Sequence, residues 1–375
     1  MRLRPGEVRD AIFDALQRQP DGASVEEISA HVSGVLGEVP PSSVRSYLRL
    51  NTPGLFVRMD RGQYVLAGFE PQVDQDAKPR HLASSEFKFG RTQLIKADCN
   101  EWLARQPANC LHAVVTDPPY GLVEYSDHEQ RKLRQGKGGV WRIPPAFDGV
   151  KRSPLPRFTV LKAADLDALD NFFFAWARHL MRVLVPGANV VVATNPLLSH
   201  RVSGALARAG LERRGELVRL VMTMRGGDRP KAAHVEFDEV SVMPRSMWEP
   251  WLLFRKPLDG RVQDNLRRWG TGGFRRIGPD KPFGDVIASS PTRSTERRLA
   301  NHPSLKPQAF LRRVVRGVLP LGQGVVVDPF AGSGSTLAAA QAVGYQAIGV
   351  ERDASYFEMA CSAIPKLSDL QVADA

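Results

Sequence analysis

Ala113-Val-Val-Thr-Asp-Pro-Pro-Tyr-Gly121 and Val325-Val-Val-Asp-Pro-Phe-Ala-Gly-Ser-Gly-Ser-Thr336 share one plan: an apolar run meets an acid and opens into a loop. A short apolar run followed by turn residues reads as a buried strand with its loop at the carboxyl end. Ligands of a parallel α/β sheet bind outside those carboxyl ends. Around both stretches the pattern alternates. Strands are expected over 94–97, 113–115, 190–193, 217–222, 251–254, 325–327 and 347–350, and helices over 166–184, 197–209, 308–319 and 336–343. Pro186-Gly187 is expected to close the first of these helices. Such alternation predicts an α/β fold with a doubly wound, mostly parallel sheet over residues 91–370.

Residues 1–68 read as a separate small domain. Val8, Ile12 and Leu16 share one helical face, and Pro20-Asp21-Gly22 ends it. Ser24 with Glu27 forms a capping box for a second helix carrying Ile28, Val32 and Leu36, stopped by Pro40-Pro41. Ser42 or Ser43 is expected to cap a third, with Val44, Tyr47 and Leu48 inward and Arg45, Ser46 and Arg49 outward. An alternating pair follows around the turn Asp60-Arg61-Gly62. Three helices and a hairpin are the winged-helix order, in which the third helix can enter a major groove. DNA contact is the favoured reading, with Arg45 and Arg49 as candidate contacts, and a protein-binding module of the same shape is the alternative. Residues 69–90, with little apolar periodicity, are expected to be a linker.

The chain has 375 residues, 43% hydrophobic, enough for two or three domains with a sizeable core. Its formal net charge is +11 and its pI about 9.8, which favours a polyanionic partner. The excess is local: residues 225–313 hold 18 Lys or Arg against 10 acids, and residues 121–157 hold 8 against 4. Both segments lie between the two motifs. Three cysteines without CxxC spacing argue against a disulfide framework or a zinc site, so no metal is expected. No apolar stretch approaches the roughly 18 residues of a membrane span, and no signal-peptide pattern opens the chain. The expected location is cytoplasmic.

The first loop suits an exocyclic amine. Such nitrogens are poor nucleophiles because their lone pair is delocalised into the ring, and acceptors on both hydrogens would draw the nitrogen toward tetrahedral geometry. Asp117 supplies a carboxylate acceptor, and the rigid Pro118-Pro119 unit can aim a main-chain carbonyl as the second. Tyr120 is expected to offer a flat face to an extruded base. The bland alternative is a proline turn at a strand end. The second loop suits a nucleoside cofactor. Gly332 and Gly334 clear the backbone for close approach, and Ser335 or Thr336 starts a helix whose N–H groups favour a carboxylate. The loop lacks the lysine of a P-loop and the third glycine of a dinucleotide fingerprint. Glu351 ends the next strand, where an acid can accept from ribose hydroxyls.

With these residues in place, residues 91–365 resemble the DNA amino-methyltransferases of adenine N6 or cytosine N4, in the permuted β group where Asp-Pro-Pro-Tyr precedes the cofactor loop. Asn301-His-Pro-Ser-Leu-Lys-Pro307 is similar to that family's His-Pro-Thr-x-Lys-Pro element, Asp98 to its cofactor-adenine acid, and Glu351-Arg-Asp353 with Tyr356 to its Glu-x-Asp-x-x-Tyr ending. Ser304, Leu305 and Ser335 depart from the pattern. The resemblance implies a seven-stranded Rossmann-like sheet with a reversed strand and S-adenosyl-L-methionine as cofactor. It implies contacts from Asp98, His302, Lys306, Asp328, Phe330, Gly332, Gly334, Thr336 and Glu351, and double-stranded DNA as substrate, with Asp before Pro-Pro-Tyr leaning toward adenine. It makes 225–300 a target-recognition region in which Arg225, Arg229, Lys231, Arg267, Arg268, Arg275 and Arg276 are candidate DNA contacts. Residues 131–139 could fold over the target nucleotide or be a plain loop. A cognate restriction endonuclease and a homodimer are left open as partners. The competing readings are an RNA or protein amine methyltransferase and a winged-helix regulator without activity.

Overall fold

The structure, a computed structural model, describes residues 7–19, 22–52, 56–59, 63–66, 86–142, 154–225, 230, 233, 235–244 and 246–372. The chain divides into two units, Met1–His81 and Leu82–Ala375. Most of the expected linker, residues 69–85, lies outside the described residues.

The first unit runs α1 (Glu7–Arg18), β1 (Ala23–Ser24), α2 (Val25–Leu36), α3 (Pro41–Leu50), β2 (Phe56–Arg58) and β3 (Gln63–Leu66), with strands in the order β1-β3-β2. The capping box forms: the Glu27 N–H donates to Ser24 Oγ at 3.2 Å, and the Ser24 N–H donates to Glu27 Oε2 at 2.7 Å. The third helix starts earlier than expected. Pro41 is its first residue, and neither Ser42 nor Ser43 caps it. Proline suits that position because the first-turn N–H would have no helical partner. Val44 and Leu48 are buried with Ile12, Leu16, Ile28, Val32 and Phe56, and Arg45 and Arg49 are exposed.

The second unit runs β4 (Glu86–Phe89), β5 (Thr92–Lys96), α4 (Cys99–Arg105), β6 (Leu111–Thr116), α5 (Asp127–Arg134), the short pair β7 (Trp141–Arg142) and β8 (Leu155–Pro156), α6 (Ala163–Val183), β9 (Leu184–Ala193), α7 (Ser199–Arg208), β10 (Glu212–Arg225) and β11 (Ser246–Arg255). It continues with α8 (Val262–Trp269), β12 (Val286–Ala288), α9 (Ser294–Leu299), α10 (Gln308–Val318), β13 (Val325–Asp328), α11 (Ser335–Ala342), β14 (Gln346–Glu351) and α12 (Ala354–Ser368). The large sheet has the order β12-β10-β11-β9-β6-β13-β14-β5-β4. Seven strands from β10 to β5 form its body with β11 reversed; β12 and the antiparallel β4 extend its edges. Residues 131–134, left open as a loop, finish α5.

Helices cover both faces, so the central strands carry apolar residues on both sides rather than alternating. Val114, Val190 and Val192 pack with α4, α6 and α7. Ala113, Val115 and Val191 pack with α10, α11 and α12. Pro186-Gly187 does not close α6. The helix ends at Val183, and both residues lie within β9. There Gly187 (φ +78°) allows the backbone to approach Gly272, whose N–H donates to its carbonyl at 2.9 Å. Among the described residues no helix is long and apolar enough to cross a membrane.

From β6 the chain moves outward to β9, and from β13 outward to β14 on the other side. The two neighbours therefore send their connections apart, which opens a crevice at their carboxyl ends.

Candidate active site

Thr116 and Asp328 join the two motifs directly. The Thr116 hydroxyl donates to Asp328 Oδ1 at 2.6 Å, tying residues 212 positions apart. A crevice open to solvent is lined by Asp117, His302, Ser304, Lys306, Asp328 and Gly332 among others. The catalytic and cofactor candidates thus meet at one place.

Asp117 is held on both oxygens. Its Oδ1 accepts from the Tyr120 hydroxyl at 2.6 Å, and its Oδ2 accepts from the Ser304 hydroxyl at 2.5 Å and from the Lys306 ammonium. Two of these partners differ from expectation. Lys306, read as a cofactor contact, is an Asp117 partner and is almost wholly buried. Tyr120, read as an open stacking platform, is half-buried, with its ring edge-on to Phe158 at 6.4 Å and its hydroxyl committed to the acid. Sequence reasoning missed both because each contact depends on a hydroxyl or ammonium finding an acid only after folding. Pro118 is buried and Pro119 half-buried in the same turn.

Glu249 and Arg219 were not anticipated. They face each other across β10 and β11, and Arg219 Nη1 donates to Glu249 Oε2 at 2.7 Å. Glu249 Oε1 lies 3.2 Å from Lys306 Nζ and 3.1 Å from the Tyr120 hydroxyl oxygen, whose proton is on the shorter bond to Asp117. Burial alone would raise the Glu249 carboxyl, but Lys306 and Arg219 outweigh it and hold it below the usual range. Burial disfavours the Lys306 ammonium, yet Asp117 and Glu249 raise it above the ordinary value. Two acids and two cations therefore neutralise one another out of solvent. The signal available was an acid and an arginine each flanked by apolar residues, in Trp248-Glu-Pro-Trp251 and Leu217-Val-Arg-Leu220.

On the cofactor side Gly332 (φ +51°) and Gly334 (φ +74°) take left-handed backbone, and Gly334 precedes α11. A Cβ on Gly332 would stand 3.0 Å from the His302 ring, so the glycine keeps a cradle open beside it. Glu351 accepts from the Gly332 N–H at 2.8 Å and from the Asp353 N–H at 2.7 Å, which fixes the loop and leaves lone pairs for a ligand. Asp328 is buried, accepts from the Phe330 N–H at 3.1 Å, and is pushed up to about 6 by burial. Thr336 is buried at the start of α11 and hydrogen-bonds Asp328. Phe330 packs on Phe172 and Trp176. Asp98 lies just beyond β5, beside the end of β14, and caps α4 through the Asn100 N–H at 2.9 Å. An acid, a glycine cradle and a helix start around one crevice fit a nucleoside carrying an amino-acid tail.

His302 stands edge-on to Tyr356 at 4.5 Å, and its Nδ1 accepts from the Ser304 N–H at 3.1 Å. Burial lowers its pKa from 6.5 to about 4. Between those values the unfolded chain binds a proton that the folded one does not, so stability is lost on acidification. Relative to wild type, His302→Gln is expected to gain about 2 kcal/mol as pH falls from 7 to 5, read from denaturant titrations. A pH-independent difference would contradict the buried neutral ring. Asp328 has the opposite sign, stabilising below its pKa and less above, but it is common to both proteins.

The basic candidates separate. β10 runs parallel to β9, so Arg225 ends its strand on the crevice side, with β11 returning from Ser246. Arg229 and Lys231, in the connection between these strands, lie outside the described residues. Arg267, Arg268, Arg275 and Arg276 are elsewhere. Their segment bonds to the beginning of β9 through Thr271 Oγ1 to the Pro186 carbonyl at 2.6 Å, at the opposite end of the sheet from Asp117. Arg267 pairs with Asp264 at 3.5 Å, and Arg268 with Asp259 at 3.1 Å over the Trp269 ring. Arg275 donates to the Tyr345 hydroxyl at 2.6 Å, and the Arg276 carbonyl accepts from Arg316 at 2.9 Å. The structure does not bring these four to the crevice. Charge density in sequence gave no information about which end of the sheet carries it.

Residues 111–362 match the N6/N4 methyltransferase family model, described as DNA methylase. The chain is 30% identical to the type II methyltransferase M2.DpnII of Streptococcus pneumoniae, over 74% of this chain and 96% of that protein. It is 23% identical to the type II methyltransferase M.HindIII of Haemophilus influenzae, over 68% and 90%. Among solved structures, a DNA modification methylase of Thermus thermophilus complexed with S-adenosyl-L-methionine is 21% identical, over 75% of this chain and 95% of that one, with a TM-score of 0.46.

Proposed function

Since the chain belongs to the N6/N4 DNA methylase family, we propose that it methylates the exocyclic N6 of adenine in a nucleotide turned out of duplex DNA. The observation that carries the reading is the shared crevice, in which the Asp117 carboxylate and the Gly332 turn line one space. S-adenosyl-L-methionine, when bound, supplies a methyl group on a sulfonium. Gly332 would let its amino-acid end and ribose approach backbone, Gly334 gives room to Ile364 of α12 rather than to a ligand, Glu351 would accept from ribose hydroxyls, and Asp98 from the adenine amine. The N–H groups opening α11 favour a carboxylate.

Asp117 and a main-chain carbonyl of Pro118-Pro119 accept the two amine hydrogens, which pulls the nitrogen lone pair out of conjugation. The carboxylate also stabilises the positive charge that grows on nitrogen as the new C–N bond forms. One amine proton is then lost toward Asp117 or solvent. Before the amine arrives, the Tyr120 hydroxyl holds the carboxylate in place. No covalent link between protein and base is needed, since the amine itself attacks.

Duplex DNA reaches the crevice beneath the β10–β11 hairpin, whose connecting residues include Arg229 and Lys231. In the N-terminal unit, the order of three helices and a hairpin, with Arg45 and Arg49 outward on α3, supports a winged-helix module that presents α3 to DNA. The adenine assignment rests on Asp before Pro-Pro-Tyr. Mass spectrometry of nucleosides from duplex DNA incubated with the protein and S-adenosylmethionine is expected to find N6-methyladenine. N4-methylcytosine alone would move the target to cytosine.

A further inference from the structure

Asp117 is occupied by three donors, Tyr120, Ser304 and Lys306. A carboxylate offers about four lone-pair positions, so one remains for an incoming amine. The Lys306 ammonium is also badly placed for the reaction proposed above. It sits beside the acid where a nitrogen must become positive, and like charges a few ångströms apart disfavour each other.

Glu249 supplies the alternative partner. Its Oε1 lies 3.1 Å from the Tyr120 hydroxyl and 3.2 Å from Lys306 Nζ, within reach of two of the three donors on Asp117. The other oxygen is clamped by Arg219, which is 3% exposed, donates to the Ser290 carbonyl at 2.9 Å and to Ser289 Oγ at 3.1 Å, and lies over the Phe310 ring. Glu249 is thus a fixed acceptor. A small side-chain shift would carry the ammonium from one carboxylate to the other without leaving it unpaired out of solvent.

We propose that Glu249 is a positioning residue that takes Lys306 and Tyr120 from Asp117 and so frees the carboxylate for the target amine. The inference rests on the methyl-transfer reading of the same crevice. Tyr120 has one proton to donate, so bonding to Glu249 releases Asp117 Oδ1, and the lysine's move releases Oδ2. Methyl transfer then proceeds with the cation held on Glu249.

The test is single-turnover methyl transfer to duplex DNA by wild type, Glu249→Gln and the double variant Arg219→Gln/Glu249→Gln. The double variant removes both charges of the clamp, so it carries no uncompensated buried arginine, and it is the one to read if the single variant does not fold. A neutral amide competes weakly for an ammonium, so both variants are expected to transfer about tenfold or more slowly. Their affinities for S-adenosylmethionine and DNA should stay within about twofold of wild type. A wild-type rate in Glu249→Gln, or recovery of that rate in the double variant, would reduce Glu249 to a counter-charge for Arg219 and overturn the proposal. A matching loss of cofactor affinity would overturn it as well. Wild type that transfers nothing to DNA would instead sink the methyl-transfer reading itself.

Discussion

Asp117→Ala is expected to slow methyl transfer to duplex DNA by about 10²–10³-fold, the usual loss when one preorganised electrostatic partner of a transition state is removed. Affinity for S-adenosylmethionine should remain close to that of wild type, because Asp117 contacts Tyr120, Ser304 and Lys306 rather than the glycine loop. The change therefore belongs in the rate of the chemical step and not in binding. Lys306 keeps Glu249 as its partner at 3.2 Å, which limits the structural damage. Rapid-quench single turnovers beside calorimetric cofactor titration separate the two quantities. Near-normal turnover would remove Asp117 from its role.

Gly334→Ala is expected to do the reverse. The residue stands at φ +74°, and a Cβ there would come 2.5 Å from Ile364 Cγ1 and 3.3 Å from Ala360 Cβ, both on α12. Left-handed backbone costs a non-glycine residue roughly 1–2 kcal/mol, and forcing a methyl into a packed site adds about 1–3 kcal/mol. The loop can escape only by shifting the turn that fixes the start of α11. The expected result is a cofactor Kd raised by about ten- to a hundredfold, with thermal stability lowered. An unchanged Kd would mean that the glycine loop does not bind the cofactor. Together the two variants divide labour between the motifs: one acts on rate, the other on binding.

The backbone plan was legible because strand and loop are local signals. Three valines before Asp328 and an apolar run before Asp117 fix strand, direction and loop without any long-range information. The glycines at 332 and 334 mark the tight turn there, and both take positive φ. Where prolines were concerned, local signals misled. Pro186 lies within a strand instead of ending a helix, while Pro41 opens a helix. Both fit the chemistry of proline, which lacks an N–H but does not oppose extended or first-turn backbone.

Side-chain partnerships were less visible. Motif similarity points Lys306 toward the cofactor, yet the acid it bonds lies 189 positions away. Nothing in the sequence ranks Asp117 above a ligand as its counterpart. Arg219 and Glu249 meet only because β10 and β11 pair in register. Within the basic segment, Arg267, Arg268 and Arg275 satisfy acids or a tyrosine on the far end of the sheet, a placement that their sequence neighbours do not reveal. Charge count foretold a polyanion, and geometry alone sorts which arginines can meet it.

Transfer of an isotopically labelled methyl group from S-adenosylmethionine to duplex DNA, followed by separation of the nucleosides, tests the meeting of the two loops most directly. Label on an exocyclic amine of the wild-type product, accumulating far more slowly with Asp117→Ala, is the expected result. Label on a ring carbon, or a protein that binds the cofactor yet leaves duplex DNA unlabelled, would contradict it.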